Sequence, residues 1–311
     1  MPSPEPAFPR LAAIQGAGFL AVALFALGFQ LWLPRVLPGP ADDRAVAEVL
    51  AREAQPGDVV LLHPWWTERA RLFLPPGLPI IGYFGDEGDS LLEHPRIWVL
   101  SQPRLPFTPE SSFSRAFLPG RTPLGAERRL GPYRLGLYRN GRARPVRFSA
   151  AEALGNASAS VDAPDQGRVA CVREGAGFRC PGGARVEASL HEVLYQPTRC
   201  LFVLPPGGPG SVEVTFHGVP PGEALRFEAA IVWEHAWKHG PHLTPLNAEL
   251  FDAGTGARLA TLVVEPGTEG FVAADVERAP ESLRIRVQSN NAGERETCLR
   301  LRALGHREEG G

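Results

Sequence analysis

Apolar and polar positions follow three different patterns along the chain. Between Arg10 and Arg35 runs LAAIQGAGFLAVALFALGFQLWLP, uncharged, with only Gln15 and Gln30 strongly polar. A helix of that length spans a hydrocarbon core. Its polar residues do not recur on one face, as they would in a soluble amphipathic helix. A cleavable signal is the weaker alternative, because the apolar run is long and no A-x-A-like site follows it. The pattern predicts an uncleaved transmembrane anchor over 11–34 behind a short tail, 1–10.

The second pattern alternates helical periodicity with continuous apolar runs. RAVAEVLAREA, capped by Asp42 or Asp43, places Ala45, Val46, Val49 and Leu50 on one face. DVVLLH, LPIIGYF and RIWVLS are strands apolar on both faces, which suits a sheet covered on both sides. TERARLFL reads as a short helix, and ERRLGPYRLGLYRN as a hairpin turning at Gly131-Pro132. This order predicts a small parallel α/β domain over 42–140.

From about 145 the pattern becomes short period-two alternation between Gly/Pro turns. RVEASLHEVLY, CLFVLPP, SVEVTFHGV, LRFEAAIVW, LNAELFD, LATLVVE, GFVAADV, SLRIRVQS and TCLRLRAL give about nine strands. They predict a C-terminal β-sandwich of the jelly-roll kind over 145–305. Residues 149–167 read as a surface linker, and Asn156 opens an N-A-S glycosylation acceptor. The fold class is therefore α/β plus all-β behind one membrane helix.

Composition narrows the function classes. A net charge of −2 leaves no basic footprint for nucleic acid. The four cysteines, Cys171, Cys180, Cys200 and Cys298, all lie in the C-terminal half. An even count at strand positions suits two disulfides in an oxidising compartment, the alternative being buried thiols in a cytosolic domain. Cys171 and Cys180 bracket VREGAGFR, whose Gly-Ala-Gly centre can turn a hairpin. The flanks of the apolar run barely differ in charge, so the cysteines carry the orientation: the bulk is expected outside the cytoplasm.

Three stretches carry candidate chemistry. WEHAWKHGPH holds Trp233, His235, Trp237, Lys238, His239 and His242, including the only lysine of the chain. The histidine spacing i, i+4, i+7 would gather imidazoles for zinc on a helix, but Gly240-Pro241 breaks such a helix, so no metal is expected. The tryptophans can instead stack on a sugar ring while His and Lys donate hydrogen bonds; a plain inter-strand loop is the alternative. HPWWTE places His63, Trp65, Trp66 and Glu68 at the end of the first strand, where open α/β sheets bind ligands; packing on the sheet or contact with lipid headgroups is the alternative. GYFGDEGD has loop glycines, but Asp86, Glu87 and Asp89 would repel phosphate. No G-x-S-x-G, H-E-x-x-H or Walker sequence occurs, and no cofactor is expected.

PGDVVLLHPWW, GLPIIGYF, RIWVLSQP and LGPYRLGLYR resemble the soluble extracytoplasmic domains of multi-spanning, lipid-linked-sugar (GT-C type) glycosyltransferases. The resemblance covers about a third of the chain and implies a glycan-related envelope setting. Those enzymes have many membrane helices and acidic residues in a first external loop; this chain has one helix, with the acidic pair Asp42-Asp43 after it. Residues 200–303, through CLFVLPPGG, SVEVTFHGV, the turn at Ala274-Asp275, LRIRVQS and TCLRLRAL, resemble galactose-binding-like jelly rolls, including NPCBM modules. That resemblance implies that the first and last strands lie side by side, which would bring Cys200 to Cys298.

These readings predict a single-pass, extracytoplasmic binding or assembly module of the cell envelope, glycan-recognising and non-catalytic. The alternatives are an enzyme acting on envelope glycan or lipid-linked sugar from His63, and a structural partner of a polytopic glycosyltransferase.

Overall fold

The computed structural model describes residues 8–83, 90–103, 110–164, 167–194, 196–232, 244–290 and 295–305. The chain divides into two units, Met1–Arg142 and Ala143–Gly311.

The first unit begins with α1 (Phe8–Val36). Its stretch Ile14–Leu33 is long and apolar enough to cross a membrane and is unburied by the rest of the protein. Phe25, Phe29 and Trp32 follow one another along one side, with ring centroids 6.4 and 5.7 Å apart. After it comes α2 (Pro40–Glu53). The expected cap is displaced: Gly39 holds the cap position, and the Asp42 carboxylate accepts its N–H at 2.8 Å. Asp43 instead accepts from Arg69 at 2.6 Å and from the Tyr133 hydroxyl at 3.0 Å. Both acids of the Asp42-Asp43 pair are thus engaged in holding the fold.

The sheet of this unit contains β1 (Val59–His63), β2 (Ile80–Gly82), β3 (Arg96–Ser101), β4 (Arg121–Pro123), β5 (Arg128–Leu130) and β6 (Tyr133–Asn140). β1 pairs in parallel with β2 and β3, giving the order β2-β1-β3-β6-β4. β6 runs antiparallel to β3, and β5 pairs with β6 in a hairpin. The sheet is therefore mixed. Its uninterrupted apolar strands have the reason expected, cover on both faces. Val46, Val49 and Leu50 of α2 pack with Val60, Leu62 and Trp98, while Phe113 and Phe117 of α3 (Glu110–Phe117) pack with Val59, Leu61 and Ile97. TERARLFL forms a single 3-10 turn, Glu68–Leu72.

The second unit has fourteen strands among the described residues: β7 (Val146–Ser149), β8 (Ser158–Ala163), β9 (Gly167–Ala170), β10 (Val172–Glu174), β11 (Gly177–Arg179), β12 (Arg185–Val193), β13 (Gln196–Leu204), β14 (Ser211–His217), β15 (Ala224–Ile231), β16 (Leu246–Asp252), β17 (Arg258–Val264), β18 (Val272–Val276), β19 (Ser282–Gln288) and β20 (Thr297–Leu304). One sheet runs β10-β11-β12-β13-β20-β15-β18, with β7 on β20; the other runs β17-β16-β19-β14-β8-β9. From β13 onward the chain alternates between sheets, except at the β16–β17 hairpin. The eight strands β13–β20 form the four-plus-four arrangement of a jelly roll. Leu201, Val212, Phe227, Leu250, Ile285 and Leu301 are among the side chains interleaved between the sheets, each at most 1% exposed.

Residues 149–167 correct the linker expectation. They contain α4 (Ala150–Ala153) and β8, which pairs with β14 and sends Ala159 and Val161 into the core. The alternation Ala/Ser/Val/Asp is a strand signal that the small, polar composition masked. Cys200 and Cys298 are bridged with Cα atoms 5.5 Å apart, and Cys171 and Cys180 with Cα atoms 4.3 Å apart.

Both outward faces of the sandwich are organised around one buried carboxylate. Glu228 on β15, unexposed, meets Arg300 and Arg302 of β20, each at 2.7 Å. Glu213 on β14, 3% exposed, meets Arg286 at 2.7 Å and Arg168 at 2.8 Å. Cross-strand register makes this local: Glu228 faces Arg300, and Glu213 faces Arg286. The planar guanidinium fork suits such ladders better than an ammonium group does. That fits a chain in which all but one of the 32 basic residues are Arg.

Candidate functional site

The strand-end candidate is a packed corner. His63 closes β1 and is 5% exposed; its ring stacks on Phe113 at 4.1 Å and meets Tyr83 edge-on at 5.6 Å. Gln102, just past β3, donates its N–H to the His63 carbonyl at 3.0 Å. The chain then turns through Pro64, whose carbonyl accepts from the Thr67 hydroxyl at 2.7 Å. Trp65 and Trp66 meet edge to face at 5.9 Å, and Trp66 is 45% exposed. Glu68 pairs with Arg71. The structure thus buries His63 in an aromatic stack and leaves Trp66 as the accessible ring. Asp86, Glu87 and Asp89 lie outside the described residues.

Trp233, His235, Trp237, Lys238, His239 and His242 also lie outside the described residues, but both stems of their segment are within them. Val232 donates its N–H to the Glu296 carbonyl at 2.9 Å. Arg295, unexposed, donates from Nε to the Thr244 carbonyl at 2.7 Å. The Thr244 hydroxyl lies 3.3 Å from that of Ser289. Residues 233–243 are therefore delivered from two points anchored beside the start of β20, at one end of the jelly roll.

That end also carries a feature missed in the sequence. The outward positions of β12 are Arg185, Glu187, Ser189 and His191, all half-buried; Val186, between them, faces the core. Ser189 Oγ lies 2.8 Å from His191 Nε2 and donates to Glu187 at 3.3 Å. Phe202, unexposed on β13, supports the row: the His191 ring stacks on it at 4.4 Å, and the Arg185 guanidinium lies 5.1 Å from its centroid. Burial holds His191 below its ordinary pKa, although Glu187 and Glu296 pull the other way. The imidazole is thus neutral near pH 7, able to accept at one nitrogen and donate at the other. The period-two spacing R-x-E-x-S-x-H was readable in RVEASLHEV, but it is also the ordinary pattern of a strand with one wet face. Only the neighbouring strand shows that Phe202 lies beneath it.

Among the described residues, no group of three His, Cys, Asp or Glu side chains is placed to hold a metal ion.

No family model matches the chain, and no curated protein matches it. Solved structures similar to it include the CBM27-1 module of Caldicellulosiruptor saccharolyticus in complex with mannohexaose, at 9% identity and a TM-score of 0.27, over 38% of this chain and 79% of that one. The CBM51-2 and INT domains of Clostridium perfringens ZmpB, with GlcNAc, align at 10% identity and a TM-score of 0.28, over 48% of this chain and 37% of that one. A family 35 carbohydrate-binding module from Clostridium thermocellum aligns at 11% identity and a TM-score of 0.24, over 40% of this chain and 93% of that one. Likeness at this level leaves the function to be argued from this chain's own residues.

Proposed function

We propose that this protein is a membrane-anchored, extracytoplasmic module of the cell envelope whose jelly roll recognises glycan without catalysing a reaction on it. The observation that carries the reading is the anchoring of Val232 and Thr244, the residues that flank 233–243, by Glu296 and Arg295. The sequence between these two anchored residues holds two tryptophans, three histidines and the single lysine, and anchored flanks lower the ordering cost of binding. Aromatic faces with nearby donors suit a sugar ring, which has apolar faces and a polar edge. The exposed apolar α1 and the two disulfides support the anchored, oxidising location.

The test is a glycan array probed with the full chain in detergent micelles. Signal that weakens in the Trp233→Ala/Trp237→Ala variant supports the proposal; wild-type protein that binds no glycan sinks it. Location is checked separately by thiol titration and fractionation of protein from its native host. The transferase-like resemblance of 42–140 extends the proposal to a polytopic glycosyltransferase as neighbour, which copurification from solubilised membranes tests. His63, stacked and nearly unexposed, gives an enzymatic reading little to work with.

A further inference from the structure

The hairpin of β10 and β11 and the adjoining half of β12 line an open cleft of about 360 Å³, within the usual span of small-ligand pockets, roughly 300–1,000 Å³. Gly175, Ala176 and Gly177, at the turn of the hairpin, are part of its lining and leave space because they have almost no side chain. Gly175 sits at φ +57°, and a Cβ on Gly177 would collide with the Val186 carbonyl. The Cys171–Cys180 bridge ties the ends of this hairpin together, so the wall is covalently held.

The lining groups are charged but balanced. Glu174 pairs with Arg179 on one wall, and Arg185 lies 3.7 Å from Glu187 on the other. Arg185 Nε is buried and makes no hydrogen bond among the described residues. Ser189, hydrogen-bonded to Glu187, closes the row.

We propose that this cleft is a second ligand subsite that takes an uncharged sugar residue through its hydroxyls. The inference rests on the glycan reading above. The lining sets two carboxylates, Glu174 and Glu187, against two guanidinium groups, so charge gives a bound anion no advantage. A sugar hydroxyl both donates and accepts, and it matches an arrangement of guanidinium donors, carboxylate acceptors and one hydroxyl. Hydrogen bonds to charged partners are the stronger kind, and Arg185, over the Phe202 ring, and Ser189, bonded to Glu187, are oriented before the ligand arrives.

The experiment is titration calorimetry on the full chain in detergent micelles. The probes are the neutral hexaoses of glucose, mannose, xylose and N-acetylglucosamine, with hexagalacturonate as the acidic probe. Arg179→Ala and Ser189→Ala are compared with wild type and with Trp233→Ala/Trp237→Ala. Arg179 is largely exposed, so its variant keeps the fold, which circular dichroism checks. Expected is a loss of about tenfold in affinity for a neutral hexaose in each cleft variant, the scale of one lost charge-assisted hydrogen bond. A residual site surviving in the tryptophan variant is also expected. Unchanged neutral-sugar binding in both cleft variants overturns the subsite and leaves the glycan reading standing. Tighter binding of hexagalacturonate, lost in R179A, overturns the ligand class. Wild-type protein that binds none of the probes and no glycan on the array removes both.

Discussion

Arg295 Nε lies 2.7 Å from the Thr244 carbonyl, and the arginine that makes this bond is completely buried. The bond ties the start of β20 to the stem that leads into β16, across 51 residues of sequence. Replacing Arg295 with Met removes the donor and leaves the partly buried Thr244 carbonyl short of a partner. Urea unfolding is expected to show a loss of about 1–3 kcal/mol, with weaker binding of any ligand held by residues 233–243. An unchanged midpoint together with unchanged binding would show that the pin holds nothing.

Glu228 offers a pH test. Burial by itself raises its pKa, but Arg300, Arg302 and Arg226 outweigh that and hold the carboxyl below its ordinary range. A carboxylate with a depressed folded-state pKa contributes stability that is fully present above its unfolded value, near 4.5, and is lost as pH falls through the folded value. Unfolding followed from pH 7 down to pH 3 is expected to show wild type losing stability below about pH 4.5, more steeply than Glu228→Gln. At pH 7 the variant, left with arginines around a neutral amide, is expected to be weaker by about 3–5 kcal/mol. Parallel curves for the two proteins would refute the account.

The two disulfides are expected to differ in worth. Cys200–Cys298 closes a separation of 98 residues and Cys171–Cys180 one of 9. In the chain-entropy description the first contributes about 4–5 kcal/mol and the second about 2–3. Denaturation of the two Cys→Ala pairs should rank them in that order. The reverse order would mean that native-state packing, and not loop closure, dominates.

On the first unit, Glu53 accepts from both Arg128 nitrogens, at 2.7 and 2.6 Å, which joins α2 to the β5–β6 hairpin. The Arg128 hydrogen bonds, assisted by Arg52, lower the Glu53 pKa to about 2. Carbon-detected NMR titration of Arg128→Ala is expected to return Glu53 toward the ordinary carboxylate range. A carboxyl still titrating near pH 2 would assign the effect to Arg52 alone.

Much of this architecture was legible because hydrophobic period and punctuation are local. DVVLLH and RIWVLS each hold four consecutive apolar residues, and both are strands buried on both faces. The Gly131-Pro132 hairpin and the Gly-Ala-Gly turn between Cys171 and Cys180 formed where glycine and proline mark them. Residues 149–167 were misread because serine and alanine suggest linker composition while their alternation is that of a strand. Asp42 and Asp43 stood out as a pair, yet one closes a helix end and the other is claimed by Arg69 and Tyr133, partners 26 and 90 residues away.

By itself the sequence determined the apolar N-terminal helix, the change from helix–strand alternation to short strands, and the four cysteines available for pairing. Each follows from neighbouring residues and needs no partner from elsewhere in the chain. Tertiary structure alone decided which strand lies beside which. It thereby set Glu228 among Arg226, Arg300 and Arg302, stacked His191 on Phe202, and pinned Thr244 with Arg295. Most of these contacts join residues on different strands, and strand register specifies them, because a shift of one residue turns every side chain to the opposite face.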